Sequence, residues 1–165
     1  TRPDCWNRHA WDSAQLLPLA PDARTWADLG AGAGLPGVVL AAFLKPVANA
    51  RVWLIDSQTK RCRFLQTVVD ALGLPAEVVN ARAETQHITV DMVTARACAP
   101  LDRLLGYAEP YLARGAEALF LKGEQAEAEL DEARRSRPRL QAELSTSLSD
   151  PRGRIVHIRS RRRVA

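Results

Sequence analysis

Residues 28–37 read Asp-Leu-Gly-Ala-Gly-Ala-Gly-Leu-Pro-Gly, and no other stretch restricts the fold of this chain as strongly. Residues 25–30, which lead into the glycines, have the length and apolar character of a buried strand. Residues 35–44 have the length of a helix and are stopped by Lys45-Pro46. A strand that turns through glycines into a helix is the first half of a crossover, and crossovers connect parallel strands. The turn also presents backbone N–H groups at the positive end of a helix dipole, where glycines let a ligand come close. An anionic ligand group is expected there, because a tight turn alone does not require glycine at 30, 32, 34 and 37.

The alternation continues downstream. Residues 51–56 read as a second strand and residues 60–72 as a helix, with Phe64, Leu65, Val68, Val69 and Leu72 at helical spacing and Gly73 as its stop. Residues 77–80, 92–95 and 116–122 make third, fourth and fifth strands, and residues 101–112 a helix between the last two. Residues 124–135 form a charged helix with acids set ahead of bases, read as a solvated face. Residues 140–148 and 154–159, joined by Ser149-Asp150-Pro151-Arg152-Gly153, read as an antiparallel hairpin. The expected fold is α/β, a mostly parallel sheet closed by an antiparallel C-terminal hairpin, with helices on both faces. One domain over residues 1–165 is expected, with a basic tail at 159–165.

Composition narrows the function classes. With 47% hydrophobic and 25% charged residues, the chain has the makings of a core, which argues against disorder. Its longest apolar run is about half the ~20 residues that a membrane-spanning helix needs. Cys5, Cys62 and Cys98 are odd in number and far apart, and no signal pattern opens the chain, so a reducing, cytoplasmic setting without a metal cluster is expected. Net charge is +4, and only Lys45, Lys60 and Lys122 among the 23 cations are lysine. Arginine suits phosphate, yet a coding bias produces the same excess, so the charge leaves a nucleic-acid partner open.

Two ligands compete for the glycine loop. Residues 32–37 match G-x-G-x-x-G, and Asp56 stands 19 residues past Gly37, where a dinucleotide-binding protein, such as an NAD-dependent oxidoreductase, keeps its ribose acid. An adenosyl group needs the same acid, so these features do not discriminate. Asp28 does, because a carboxylate just ahead of the glycines repels a pyrophosphate and favours a cationic ligand. Pro36 also removes one N–H from the cradle.

D-x-G-x-G-x-G followed by an acid ending the next strand resembles the signature of class I S-adenosylmethionine-dependent methyltransferases. In that reading the loop N–H groups take the methionine carboxylate, Asp28 the ammonium directly or through water, and Asp56 the ribose hydroxyls. Further segments sharpen the likeness: Arg8-His9-x-x-Asp12-Ser13, Leu35-Pro36-Gly37, Lys60-Arg61-x-x-Phe64-Leu65, Arg82-Ala83-Glu84, Ala95-Arg96-Ala97 and Leu121-Lys122-Gly123. In order and spacing the chain resembles the bacterial small-subunit (16S) ribosomal RNA guanine-N7 methyltransferases, first described as glucose-inhibited division protein B. The resemblance covers residues 8–158. It implies a Rossmann-like fold, S-adenosylmethionine as cofactor, 16S rRNA or the small ribosomal subunit as partner, and a monomer. It also places donor contacts on Gly30, Leu35, Ala83, Glu84 and Arg96, beside the loop residues Asp28, Gly32 and Gly34 and the acid Asp56. The family carries a helical segment ahead of R-H-x-x-D-S, so residues 1–24 read as the remnant of one. The arginine cluster after residue 158 has no counterpart in the resemblance.

Substrate-side candidates are Arg8, His9, Lys60, Arg61 and Lys122. Arg8, His9 and Asp12 have helical spacing and either face the site or form a capping and salt-bridge cluster. Lys122 ends the fifth strand, where ligands of such sheets bind. Lys60, Arg61 and Arg63 open a helix near the ribose side and either meet RNA or form a solvated face. Arg96 either orients a guanine through O6 or pairs with Asp91 or Asp102. His87 and His157 are read as surface or core histidines. Guanine N7 attacks without losing a proton, so no general base is sought. A non-catalytic RNA-binding module is the remaining alternative.

Overall fold

The computed structural model describes residue 4, residues 6–96 and residues 99–160. Cys5, Ala97, Cys98, the arginines at 161–163 and the side chain of Trp6 lie outside the described residues. A helical leading segment runs through Trp6–Trp11 and Asp12–Ala14. Seven strands follow: β1 (Thr25–Leu29), β2 (Arg51–Asp56), β3 (Ala76–Asn80), β4 (Met92–Arg96), β5 (Glu117–Lys122), β6 (Ala142–Thr146) and β7 (Arg154–Ile158). They form one sheet in the order β3-β2-β1-β4-β5-β7-β6. β1 to β5 are parallel, and β7 runs antiparallel to both β5 and β6.

Period-2 alternation divides the strand side chains between two cores. Ala27, Leu29, Ile55, Val93, Ala95, Ala118 and Phe120 pack on one face, against α3 (Leu101–Leu112) and α4 (Ala126–Ser136). Trp26, Val52, Leu54, Met92, Leu119 and Leu121 point the other way, toward α1 (Gly37–Leu44) and α2 (Thr59–Leu72). Helices therefore cover both faces, as the strand-helix alternation predicts. α1, α2 and α3 each join parallel neighbours, while α4 crosses from β5 past β7 to β6, so the loops at one end of the sheet all follow strand carboxyl ends.

Element boundaries shift where backbone chemistry intervenes. α1 starts at Gly37 instead of at residue 35, because a residue before proline disfavours helical φ/ψ and Pro36 supplies no N–H. α2 ends at Gly73, in the left-handed conformation with φ 57°, as its sequence predicts. α4 begins at Ala126, two residues later than the charged stretch suggests, and Arg159 lies just past β7 with its guanidinium on Glu143 at 2.9 Å. That arginine is part of the hairpin edge and does not open a loose tail.

Gly37 is fixed by close approach. A Cβ there would collide with Leu54 Cδ2 and stand 2.6 Å from Asp28 Oδ2. Gly37→Ala should therefore lower stability by roughly 1–3 kcal/mol, read as a lower urea midpoint with an unchanged slope.

Candidate functional site: two clefts at the carboxyl ends of the strands

The glycine loop is bound mainly to its own neighbourhood. Gly30, Gly32 and Gly34 adopt φ of 69°, 52° and 93°, which side chains avoid. Gly30 and Ala31 donate their N–H groups to Ile55 O at 2.9 and 3.0 Å, and Gly34 donates to Ala31 O at 2.7 Å. Gly32 donates to Asp56 Oδ2 at 3.0 Å, and Gly37 to Asp28 Oδ2 at 2.8 Å. Among the described residues, Ala33 and Leu35 are left with N–H groups that have no protein acceptor. The sequence suggested a cradle of many free N–H groups; the loop uses most of them to lock its shape onto β2.

Asp28 is correspondingly not a surface carboxylate. It is wholly buried beneath the loop, with Oδ2 on Gly37 and Oδ1 without a partner among the described residues. Burial pushes its pKa up to about 7, the Gly37 N–H pulls it back, and nearby Asp56 raises it further. Direct contact between Asp28 and a ligand ammonium is thus not what this geometry offers; Asp28 closes the loop from below.

The first cleft, of about 290 Å³, lies beyond β1, β2 and β3 and is lined by Gly30, Asp56, Ser57, Arg61, Ala83, Glu84 and Tyr107 among others. Asp56 ends β2 almost fully buried, accepting from Gly32 N and from Gln58 N at 2.8 Å, with Arg61 Nη1 at 3.6 Å. An ionised carboxylate has about four lone-pair sites, so acceptor capacity remains. The Ala83–Thr85 turn forms the opposite wall and is anchored by Tyr111, whose buried hydroxyl donates to Ala83 O at 2.9 Å. Burial, then Glu84, pushes the Tyr111 pKa up to about 12, so it stays a donor. Gly32, Gly34 and Leu35 shape the loop without lining this cleft, and Lys60 is exposed outside it. Cys62, free and buried, reaches Asp56 O at 3.2 Å; its pKa is raised by burial, so it braces β2 and is no nucleophile.

The second cleft, of about 610 Å³, lies beyond β4, β5 and β7 and brings together Arg8, His9, Asp12, Arg96, Lys122 and Arg152. Arg96, expected among the donor contacts, belongs here. Its ion-pair partner is neither Asp91 nor Asp102 but Asp12, with Oδ2 3.9 Å from Nε. Asp91 is occupied by the N–H groups of Arg24 and Thr25, and Asp102 by Arg137. Among the described residues, Arg96 Nη1 and His9 Nδ1 are buried without hydrogen-bond partners. Asp12 Oδ1 meanwhile accepts from Gln15, Ser147 and Ser149 at 2.7, 3.1 and 2.7 Å. The Arg8-His9-Asp12 cluster lines a cleft and makes no side-chain helix cap; Asp12 pairs with Arg96 and clamps the leading segment to the β6–β7 hairpin.

Lys122 is tied down, its Nζ donating to Ala99 O at 2.8 Å and pairing with Glu129 at 2.8 Å. Glu129 also accepts from Leu101 N at 2.7 Å, capping α3. The charged helix is therefore not only a solvated face. Glu129 borders the buried stripe of Ala126, Leu130 and Ala133, a position visible in the sequence and passed over there. His157 is not a lone histidine either, since Nε2 lies 2.7 Å from Glu117. Nothing in the sequence marks Tyr111, Ser147 or Ser149. Among the described residues no group of His, Cys, Asp and Glu is placed to hold a metal.

The raised Asp28 pKa has a sign. An acid that ionises near 7 when folded and near 4 when unfolded leaves the folded state holding more protons in between. The contribution of Asp28 to stability is then greatest at low pH and falls as pH rises through that window, by up to ~1.4 kcal/mol per unit. Asp28→Asn should flatten this part of the stability–pH curve, measured by urea unfolding between about pH 4 and 7.

A family model described as rRNA small subunit methyltransferase G (GidB) matches residues 1–161. Ribosomal RNA small subunit methyltransferase G of Caulobacter vibrioides is 61% identical over 159 residues, which cover 96% of this chain and 73% of that protein. Its counterpart in Paramagnetospirillum magneticum is 47% identical over 161 residues, covering 96% and 76%. Among solved structures, a SAM-dependent methyltransferase from Aquifex aeolicus aligns with TM-score 0.74 at 17% identity, over 96% of this chain and 93% of that one. TrmN from Thermus thermophilus aligns with TM-score 0.69 at 20% identity, over 96% and 52%. Identities that low speak for the fold, which is that of S-adenosylmethionine-dependent methyltransferases. The dinucleotide alternative falls away, because the family match and the sheet agree: this chain belongs to the rRNA small subunit methyltransferase G family.

Proposed function

We propose that the chain transfers the methyl group of S-adenosylmethionine to N7 of a guanine in 16S ribosomal RNA. The donor would occupy the cleft beyond β1 to β3, and the guanine the cleft beyond β4, β5 and β7. The observation that carries this reading is the division of labour between the clefts. One holds a carboxylate at a strand end, the other a half-buried guanidinium that Asp12 holds on its Nε side.

The first cleft suits the donor chemically. Asp56 would hold the ribose hydroxyls, Gly30 lets the ligand approach the backbone, and Ala83 and Glu84 would flank the adenine. Ala33 and Leu35 N–H are the groups available to a carboxylate. When bound, S-adenosylmethionine supplies an electrophilic methyl group on sulfur. The rest falls to the chain's own residues. Guanine N7 carries its lone pair in the ring plane, so no side chain has to remove a proton before attack. The residues need only orient the base and exclude water, a proximity contribution of up to roughly 7–11 kcal/mol.

Arg96 is the orienting group in this reading. Asp12 holds its Nε side, and the part of the guanidinium that remains exposed to the cleft would donate to guanine O6, the acceptor beside N7. Adenine presents a donor at that position and would be refused. Arg8 and His9 share the cleft wall, and Lys122 holds Ala99 through its carbonyl. Lys60, Arg61, Arg63 and Arg82 rim the donor side, where RNA phosphates would meet them. The working unit in this reading is a monomer, acting in the cytoplasm on 16S rRNA or the assembling small subunit.

Incubating the protein with labelled donor and small ribosomal subunits, then mapping the modified nucleotide, tests the reading. A single 7-methylguanine is expected. Binding of donor and RNA without incorporation would leave an RNA-binding module. Asp56→Asn should weaken donor binding by about ten-fold or more in calorimetry. Arg96→Ala should lower kcat/KM about 10- to 100-fold, with little change in the unfolding midpoint.

A further inference from the structure

A third cavity, of about 620 Å³, opens at the opposite end of the sheet. Its place follows from register. Ile158 pairs with Ala118 at the start of β5 and with Ala142 at the start of β6, so the groove sits at the amino ends of the parallel strands. The six residues of β5 separate it from the methyl-transfer end by about 20 Å. Four arginines converge on it, Arg114, Arg137, Arg139 and Arg159, against one lining acid, Glu109.

The four differ in how their charge is used. Arg137 is held by Asp102 and Arg159 by Glu143 and Glu117. Arg114 donates to Pro110 O at 2.8 Å and lies 3.2 Å from His87 Nδ1, neither of which is an anion. Arg139 is exposed and forms no ion pair among the described residues. The groove thus offers two guanidinium forks that form no ion pair among the described residues, with the one acid Glu109 in its lining, on walls fixed by two that are paired. Such forks match phosphate oxygens two at a time.

We infer that this groove is a second RNA contact, one that grips the phosphodiester backbone of the substrate at a distance from the methylated base. The inference rests on the reading of the chain as an rRNA methyltransferase. A target embedded in a large RNA makes such a contact useful: a backbone grip adds affinity and fixes orientation without reading sequence.

The test compares wild type with the pairs Arg114→Gln/Arg139→Gln and Arg114→Lys/Arg139→Lys, using protein-free small-subunit rRNA in filter binding across a salt series. The Gln pair should bind about ten-fold more weakly, with a salt slope lower by about 1.4–1.8 for two lost phosphate contacts. Its affinity for S-adenosylhomocysteine and its methylation rate at saturating RNA should match wild type, and the Lys pair should keep the wild-type slope. A Gln pair equal to wild type in affinity and slope would overturn the inference, as would a Lys pair that loses as much as the Gln pair. Failure of the underlying reading looks different, because there the wild type itself incorporates no methyl group, and the inference falls with it.

Discussion

One buried hydrogen bond organises the site: Asp28 at the end of β1 accepts from the N–H of Gly37 at the start of α1, nine residues on. It draws the helix start down onto the strand end, and only a residue without a Cβ permits the approach. The intervening loop then has to rise through left-handed conformations, which glycine adopts at 30, 32 and 34. Its N–H groups fall on Ile55 and Asp56, so β1 and β2 present their carboxyl ends as one surface. The position of Asp56, on which the donor reading depends, is set by this chain of contacts.

The sheet was largely legible in the sequence. Apolar runs, the glycine turn and Gly73 mark the βα units directly, and Pro151-Arg152-Gly153 marks the turn into the last strand. The family likeness was legible in short motifs. Less legible was the use of each polar residue, because side-chain partners come from distant segments. The sequence offers Arg96 the nearby acids Asp91 and Asp102, whereas its partner Asp12 comes from the leading segment, 84 residues away in the chain. Asp28 reads as a ligand group until its burial is known. Glu129 reads as solvated until Lys122 and Leu101 N are seen on it.

The clefts also differ in how they are kept open for their ligands. On the donor side the backbone is locked, and the anchors are a tyrosine hydroxyl beneath Ala83 and a thiol beneath Asp56. On the side proposed for the guanine, charges are clamped in pairs, Asp12 with Arg96 and Glu129 with Lys122, which fixes their direction. This suits a reaction in which alignment of two bound groups matters and no proton has to be taken from the nucleophile.

A crystal structure of the chain with S-adenosylhomocysteine tests the central claim, the separation of donor and acceptor on either side of the β1–β4 boundary. The account predicts ribose hydroxyls on the Asp56 carboxylate, adenine beside Ala83 and Glu84, and the sulfur directed toward the Arg96 cleft. An adenosyl group lodged among Arg8, Arg96 and Lys122, or at the amino ends of the strands, would contradict it.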